Sequence, residues 1–439
     1  MTEWLPILVL LSGLAFGLIT GFPMAFTLAS SSIIASWIFI GPQSLPYVAT
    51  NVFGMMSSMV LIAMPLFIFM ACVLEKSGVT QDLYAFMHQL LGPLRGGLSM
   101  GTVLICAIIA AMSGVSTTGV VTMGIIALPI MLKQGYGKSI AIGPILAGGA
   151  LGLLIPPSIS LIIYGMIARV SIGRLFAGGI LPGLLLTFLY VSYIGIRSYF
   201  QPHIAPALPP DKRVPMKEKI ALTSGLILPV LIISAVLGSI FAGIASPTEA
   251  AAVGAGGALA SAAIHRRLNW QLVKDACYRA MAINGMIMWI LFGASCFTSI
   301  FFRTGGQDLI SDVIIGVASE PIYVFIIILV TLIVLGFFLD EITQIMITVP
   351  VFLPIIVELG YDPVWFGVLF MTQVQMDYLT PPFGFTLFYM KGVAPPEVSM
   401  GDIYRSIIPF VCIQLAVVMA ILFFPQIVLW LPDVVFGLR

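Results

Sequence analysis

Two short stretches hold the residues that could do chemistry. The first joins Ser113, Gly114, Ser116 and Thr117 with Gly152, Pro156, Pro157 and Ser158. The second joins Asp340, Glu341 and Thr343 with Thr380, Pro381, Pro382, Phe383 and Gly384. Hydroxyls, carboxylates and free carbonyls are hard oxygen ligands, suited to a cation such as Na+. Free N–H groups at a helix start suit a carboxylate. Proline supplies the freed groups: a proline pair inside an apolar segment lacks two N–H donors and clashes with the preceding turn, so a helix stops there. In lipid such groups are tolerated only where protein, water or a ligand receives them. The pairs Pro156-Pro157 and Pro381-Pro382 lie 225 positions apart, about half of the 439-residue chain. Two simple kinks in a bundle are the plain alternative.

Composition sets the surroundings of these stretches. The hydrophobic fraction is 60 % and the charged fraction 8 %, against roughly 25 % charged in soluble domains. Mean hydropathy is +1.13. Apolar runs of about 18–25 residues recur, long enough to span a bilayer. The sequence therefore reads as an all-α polytopic membrane protein, and the alternating strands of a membrane barrel are missing. A net charge of +1 offers nothing to nucleic acid. The three histidines and five scattered cysteines have no ligand spacing. Nothing has the spacing of a nucleophilic triad or a phosphate loop, so an enzyme is not expected.

In chain order, spans are predicted at residues 4–20, 23–40 and 52–74. Residues 75–95 carry Leu83, Phe86, Met87, Leu90 and Leu91 at helical spacing and read as a helix along the interface. Two arms, 99–112 and 119–132, flank residues 113–118. Each is ~21 Å long at 1.5 Å per residue, short of a ~30 Å hydrocarbon core. Residues 97–134 thus read as a re-entrant hairpin. A broken span, 139–167, and a span at 179–200 complete a first half, 1–200. Residues 201–219 are a polar linker. The second half, 220–439, repeats the order: spans 220–242 and 247–264, a basic loop 265–279, a span 281–302, an interfacial stretch 307–315, a hairpin 321–357 with arms 321–338 and 342–357, a broken span 364–392 and a last span 406–431. At an offset of 225, Thr118 matches Thr343, Leu128-Pro129-Ile130 matches Leu353-Pro354-Ile355, Gly135-Tyr136 matches Gly360-Tyr361, and Tyr164 matches Tyr389. Punctuation residues recurring in register mark an internal repeat, a feature of secondary transporters.

Each half has five crossings, one of them broken, and one hairpin, so the second half is inverted relative to the first. With the linker in the cytoplasm, 15 of the 19 Lys and Arg residues fall on the cytoplasmic side and both termini fall outside. The two hairpin tips then approach the two breaks from opposite sides. Asp340, Glu341, Glu249 and Asp377 are predicted within or near the membrane, where ionisable groups are costly and usually functional. Asp340 or Glu341 could neutralise a cation, carry a proton or cap a helix. Ser246-Pro247-Thr248-Glu249 has the form of a capping box with proline at the first helical position. Arg169 and Arg174 stand near the outer end of the first broken span, suited to an acidic partner or substrate, or to a solvated loop.

The runs GALGLLIPPSISLIIYG (149–165), ASPTEAAAVGA (245–255), AAMSGVSTTGVVTMGIIALPIM with the following KQGY (110–136) and YLTPPFGFTLF (378–388) resemble the large membrane (M) subunit of TRAP, or tripartite ATP-independent periplasmic, transporters. The similarity runs in order along almost the whole chain. It implies Na+-driven import of an organic acid, such as a C4-dicarboxylate or sialic acid, across the bacterial inner membrane. It implies two partners, a small four-helix membrane subunit (Q) and a periplasmic substrate-binding protein (P). Because the first span starts at residue 4, the small subunit is expected to be a separate chain. The resemblance further implies an elevator, with spans in 4–40 and 220–264 as scaffold. The tip Ser113, Gly114, Ser116, Thr117 with the break Gly152, Pro156, Ser158 would form one Na+ site. Asp340 and Glu341 with Thr380, Pro381 and Gly384 would form the other. Substrate would lie between them, near Pro157, Ser158, Pro382 and Phe383. One departure stands at the first tip, where Val115 replaces a hydroxyl frequent in the family. A stand-alone Na+- or H+-coupled carboxylate symporter is the alternative reading. A non-transporting scaffold or an intramembrane enzyme is a third, and the two matched breaks would have no purpose in it.

Overall fold

The computed structural model describes residues 4–210, 213, 215, 224–317, 321–381 and 384–437. Regular structure among them is helical throughout. Leu5–Thr20 (α1), Met24–Phe39 (α2), Leu45–Met56 (α3), Ala63–Lys76 (α4) and Val79–Leu91 (α5) lead to a hairpin of Gly97–Ser113 (α6) and Ser116–Lys133 (α7). Lys138–Ala150 (α8) and Ile159–Ala168 (α9) form the first broken span, followed by Ile172–Phe200 (α10). The second half runs Ser224–Phe241 (α11), Pro247–Ile264 (α12), Trp270–Arg303 (α13), Gly306–Val317 (α14), the hairpin Pro321–Gly336 (α15) and Glu341–Glu358 (α16), the broken span Pro363–Asp377 (α17) and Phe385–Val393 (α18), then Met400–Phe423 (α19) and Gln426–Phe436 (α20). Six described helices are long and apolar enough to cross a bilayer.

Four expectations need correction. The span at 52–74 is two helices: α3 ends at Met56, the backbone is extended at Ser58, and helix resumes at Met59. It resumes as a 3-10 turn, Met59–Ile62, that runs straight into α4, with Pro65 in the first α-helical turn. The span at 406–431 is likewise cut before Pro425 into α19 and α20. The basic loop at 265–279 is mostly helix, because Asn269 caps α13 by accepting the Leu272 N–H at 2.8 Å. Its charges meet partners on α4, with Lys76–Asp275 and Arg279–Glu75 both at 2.9 Å. The hairpin arms are longer than predicted, 17 and 18 residues in α6 and α7, so arm length alone does not make them re-entrant. The burial of their tips is the relevant observation, and it follows below.

The linker at 201–219 lies partly outside the described residues. Its first part is docked, not solvated: Gly137 donates to the Ile204 carbonyl at 2.8 Å and Leu208 to the Gly92 carbonyl at 2.7 Å. The capping box is present, with Ser246 and Glu249 each holding the other's backbone N–H. Glu249 is exposed at a helix start, not buried. On α19, Asp402 accepts the Lys138 ammonium at 2.8 Å and the Ser399 N–H at 2.9 Å, which ties the start of α8 to the start of α19.

Prolines inside these helices leave carbonyls that neighbouring helices receive. Pro144 frees the Ile140 carbonyl, and Ser99 Oγ on α6 donates to it at 2.6 Å. Pro350 frees the Met346 carbonyl, and Thr298 Oγ1 on α13 donates to it at 3.0 Å. Pro425 frees the Ile421 carbonyl, and Trp365 Nε1 on α17 donates at 2.9 Å. Each proline thus ties two helices together instead of leaving a polar group in apolar surroundings. Ser99→Ala is expected to lower stability by about 1–3 kcal/mol, the penalty for one unsatisfied buried acceptor. An unchanged thermal midpoint in detergent would show that the bond contributes nothing.

Two packing groups result. In one, α1 and α2 lie together, α2 packs on α13, and α4 packs on α12 and α13. In the other, α8 is clasped by α6, α7 and α19, while α9 meets α16 and α17, and α18 meets α7. The site lies where α13 and α2 face the second group.

Candidate functional site

Tip one sits directly on the first break. Gly114 takes a left-handed turn at φ +61°, and a Cβ there would lie 2.7 Å from the Pro157 carbonyl oxygen. A Cβ on Gly152 would lie 3.0 Å from the Ser116 nitrogen and the Val115 carbonyl carbon. Only glycine allows these two backbones to meet. The Pro156-Pro157 peptide is cis. Ser158 is fully buried and caps α9, accepting the Leu161 N–H while donating to the Leu153 carbonyl at 2.8 Å. Ser113 Oγ contacts the Val115 carbonyl at 3.2 Å.

Tip two is organised by Asp340. Its Oδ2 accepts the Ile342 and Thr343 N–H groups at 3.2 and 3.3 Å, and its Oδ1 accepts the Thr343 hydroxyl at 2.6 Å. The Tyr378 hydroxyl accepts the Glu341 N–H at 3.3 Å. Behind this tip Asp377 is buried against Gly336, with Gln373 Nε2 donating to it at 2.9 Å. Thr380 Oγ1 donates to the Met376 carbonyl at 2.7 Å.

A cavity of about 510 Å³ opens between the tips. Gly114, Val115, Ser116 and Thr117 line it from tip one, and Asp340, Glu341 and Ile342 from tip two. Ile159 and Ser160 of α9 and Tyr378 and Phe385 beside the second break join them. The far wall is Phe26 of α2 and Trp289 of α13, whose rings are 5.8 Å apart.

The sequence-predicted residues thus divide. Gly114, Ser116, Thr117, Asp340 and Glu341 face one cavity. Ser113, Gly152, Pro156, Pro157 and Ser158 form the layer behind tip one, and Thr380, Pro381 and Gly384 stand at the second break without lining the cavity, Pro381 being exposed. Pro382 and Phe383 lie outside the described residues. Sequence reasoning missed Ser160, Tyr378, Phe385, Phe26 and Trp289. Tyr378 and Ser160 flank the proline pairs closely enough to have been suspected. Trp289 gave no signal, because its role depends on where α13 docks. Arg174 is already taken by Asp362 at 3.2 Å and Asp433 at 3.9 Å. Arg169 ends α9 in a left-handed turn.

Such an arrangement can hold a small polar molecule out of lipid while oxygen ligands stand behind it at both breaks. The family profile described as "Tripartite ATP-independent periplasmic transporter, DctM component" matches residues 11–427. The chain belongs to this family. It is 30 % identical to the C4-dicarboxylate TRAP transporter large permease protein DctM of Vibrio cholerae, over 96 % of each chain. It is 32 % identical to the ectoine/5-hydroxyectoine TRAP transporter large permease protein UehC of Ruegeria pomeroyi, over 96 % of this chain and 97 % of that one. These relatives are permease subunits, not enzymes. The fold is similar to that of the YdaH transporter of Alcanivorax borkumensis, with a TM-score of 0.60, 16 % identity and coverage of 94 % and 97 %. The TRAP permease is therefore a multi-pass membrane protein of a transporter with three kinds of component.

Proposed function

We propose that this permease carries an organic acid across the inner membrane together with Na+, receiving it from a periplasmic binding protein with a small Q subunit as membrane partner. The cavity enclosed by both tips, both breaks and the α2–α13 wall carries this reading. Ions would be held at the breaks. There the Ser158 and Thr380 hydroxyls already donate to carbonyls, so the cation would meet oxygen lone pairs and backbone carbonyls, ligands suited to Na+. Carboxylate would be received by the free N–H groups of the first turns of α7 and α9. The packing group holding both hairpins would move as an elevator against α1, α2, α4, α11, α12 and α13. The two halves would be inverted repeats, with the pairs α2–α13 and α4–α12 as equivalents. Both termini would be periplasmic. The relatives named above differ in substrate, so family membership leaves the acid open.

The test is uptake of a labelled organic acid into proteoliposomes holding the permease and its small subunit, with binding protein outside. Uptake is expected only with an inward Na+ gradient and all three components. Uptake by the permease alone, indifferent to Na+, overturns the reading. Ser116→Ala and Thr380→Ala are each expected to raise the Na+ concentration for half-maximal uptake several-fold, the equivalent of about 1 kcal/mol for one ligand oxygen. An unchanged Na+ dependence in both would reduce the breaks to kinks.

A further inference from the structure

We propose that the transported acid also carries a fixed positive charge, so that the substrate is a zwitterion lying with its carboxylate at tip one and its cation at tip two. This rests on the transport reading above and names the substrate class of the same cavity.

The two ends of the cavity differ in kind. At tip one, α7 and α9 both begin at the cavity, and Ser116, Thr117, Ile159 and Ser160 line it from their first turns. Those N–H groups have no acceptor within their own helices. Among the described residues, no side chain caps α7 and no acidic residue lines the cavity there. Two positive helix ends converge on one spot, which suits an anion.

At tip two, α16 also begins at the cavity, but Asp340 already occupies its N-terminus. The Ile342 and Thr343 amides go to Asp340 and the Glu341 amide to Tyr378. A substrate carboxylate finds no free donor of this helix start. Glu341, the first residue of the helix, points its chemistry elsewhere. It lines the cavity, and its carboxylate accepts its own backbone N–H but has no hydrogen bond or ion pair with another described residue. Among the described residues, no Lys, Arg or His lines the cavity to neutralise it. Around it stand the rings of Tyr378 and Phe385, 5.4 Å apart. A half-buried carboxylate with no partner side chain, in a cavity that aromatic rings also line, recognises an organic cation, by charge and by cation–π attraction. A dicarboxylate spanning the cavity would place its second negative group against Glu341.

The experiment titrates the purified permease, in saturating Na+, with three probes and follows thermal stabilisation. The probes are γ-butyrobetaine, its isostere in which a quaternary carbon replaces the nitrogen, and succinate. γ-Butyrobetaine is expected to bind at least about tenfold more tightly than the other two, one decade of affinity being a modest gain for a charge-assisted contact. Glu341→Gln should erase that preference, and Glu341→Asp should keep part of it. The inference is overturned if succinate or the isostere binds as tightly as γ-butyrobetaine, or if γ-butyrobetaine does not bind at millimolar concentration. It is also overturned if Glu341→Gln changes the Na+ requirement but leaves the probe preference intact, since the carboxylate then serves the coupling ion. Na+-driven uptake of a plain dicarboxylate would sink the zwitterion and leave the transport reading standing. Absence of Na+-driven uptake of any acid by the complete transporter would sink the transport reading itself.

Discussion

Gly149→Leu is expected to abolish transport and most of the folded yield. Gly149 lies in the last turn of α8, where both arms of the first hairpin close on the broken span. A Cβ at Gly149 would lie 2.4 Å from Val120 Cγ2 and 2.9 Å from the Val120 backbone nitrogen. The methyl could turn aside, but the backbone cannot move without lifting α7 off α8. Its neighbours leave no slack: a Cβ on Gly119 would be 3.1 Å from Gly149 Cα, and one on Gly148 would be 2.8 Å from Cys106 Cβ. Overpacking of this kind costs about 1–3 kcal/mol and occasionally more, and here it would also displace tip one from the break it covers. Gly256→Ala is the matched control. Nothing lies within 4 Å of its would-be Cβ, and alanine in a helix is favoured over glycine by about 1 kcal/mol. Monodisperse yield on size exclusion and uptake in proteoliposomes are the measurements. Normal uptake by Gly149→Leu would mean that seating tip one on the break is not required.

Asp340→Ala is expected to lower uptake about 100-fold, equivalent to about 2.7 kcal/mol, with a stability loss of about 1–2 kcal/mol for the missing helix cap. The carboxylate accepts two backbone N–H groups and the Thr343 hydroxyl, so alanine leaves the start of α16 without acceptors beside the cavity. Asp340→Asn separates the two effects. Asparagine caps nearly as well as aspartate, so its thermal midpoint should stay near that of the wild type. Any uptake lost in Asp340→Asn then reports the charge. If Asp340→Ala transports normally, tip two has no part in substrate or ion handling.

The positions of the breaks were legible because proline and glycine act locally. Pro156-Pro157 and Pro381-Pro382 stop helices whatever surrounds them, and α8–α9 and α17–α18 part at those points. The repeated punctuation at an offset of 225 and the hydroxyl-rich tip at 113–118 were equally local. Local rules also failed where a single residue overrode hydropathy. An extended Ser58 and Pro425 cut apolar runs that looked continuous, and the Asn269 cap with two ion pairs turned a charged loop into the first turns of α13. The docked start of the linker could not be read, because the carbonyls of Gly92 and Ile204 become partners only once hairpin one is folded.

Sequence by itself determined that the chain is a helical membrane protein with two tips and two breaks, and that hydroxyls and carboxylates gather there. Tertiary structure alone decided which of those residues share a cavity. Asp340 and Glu341 are adjacent, chemically alike and both on the cavity, yet one caps the helix and the other has no bond to another described residue. That division depends on which of the two begins the helix: the residue before it folds back onto the free N–H groups, and the first residue within it does not. A shift of one residue in that boundary would exchange their roles, and a sequence pattern does not locate a helix start to the single residue. Trp289 and Phe26 completed the cavity for the same kind of reason. Their place is set by how α13 packs on α2, where the Gly293 backbone comes so close to Ala25 that a Cβ would lie 2.3 Å from its carbonyl oxygen.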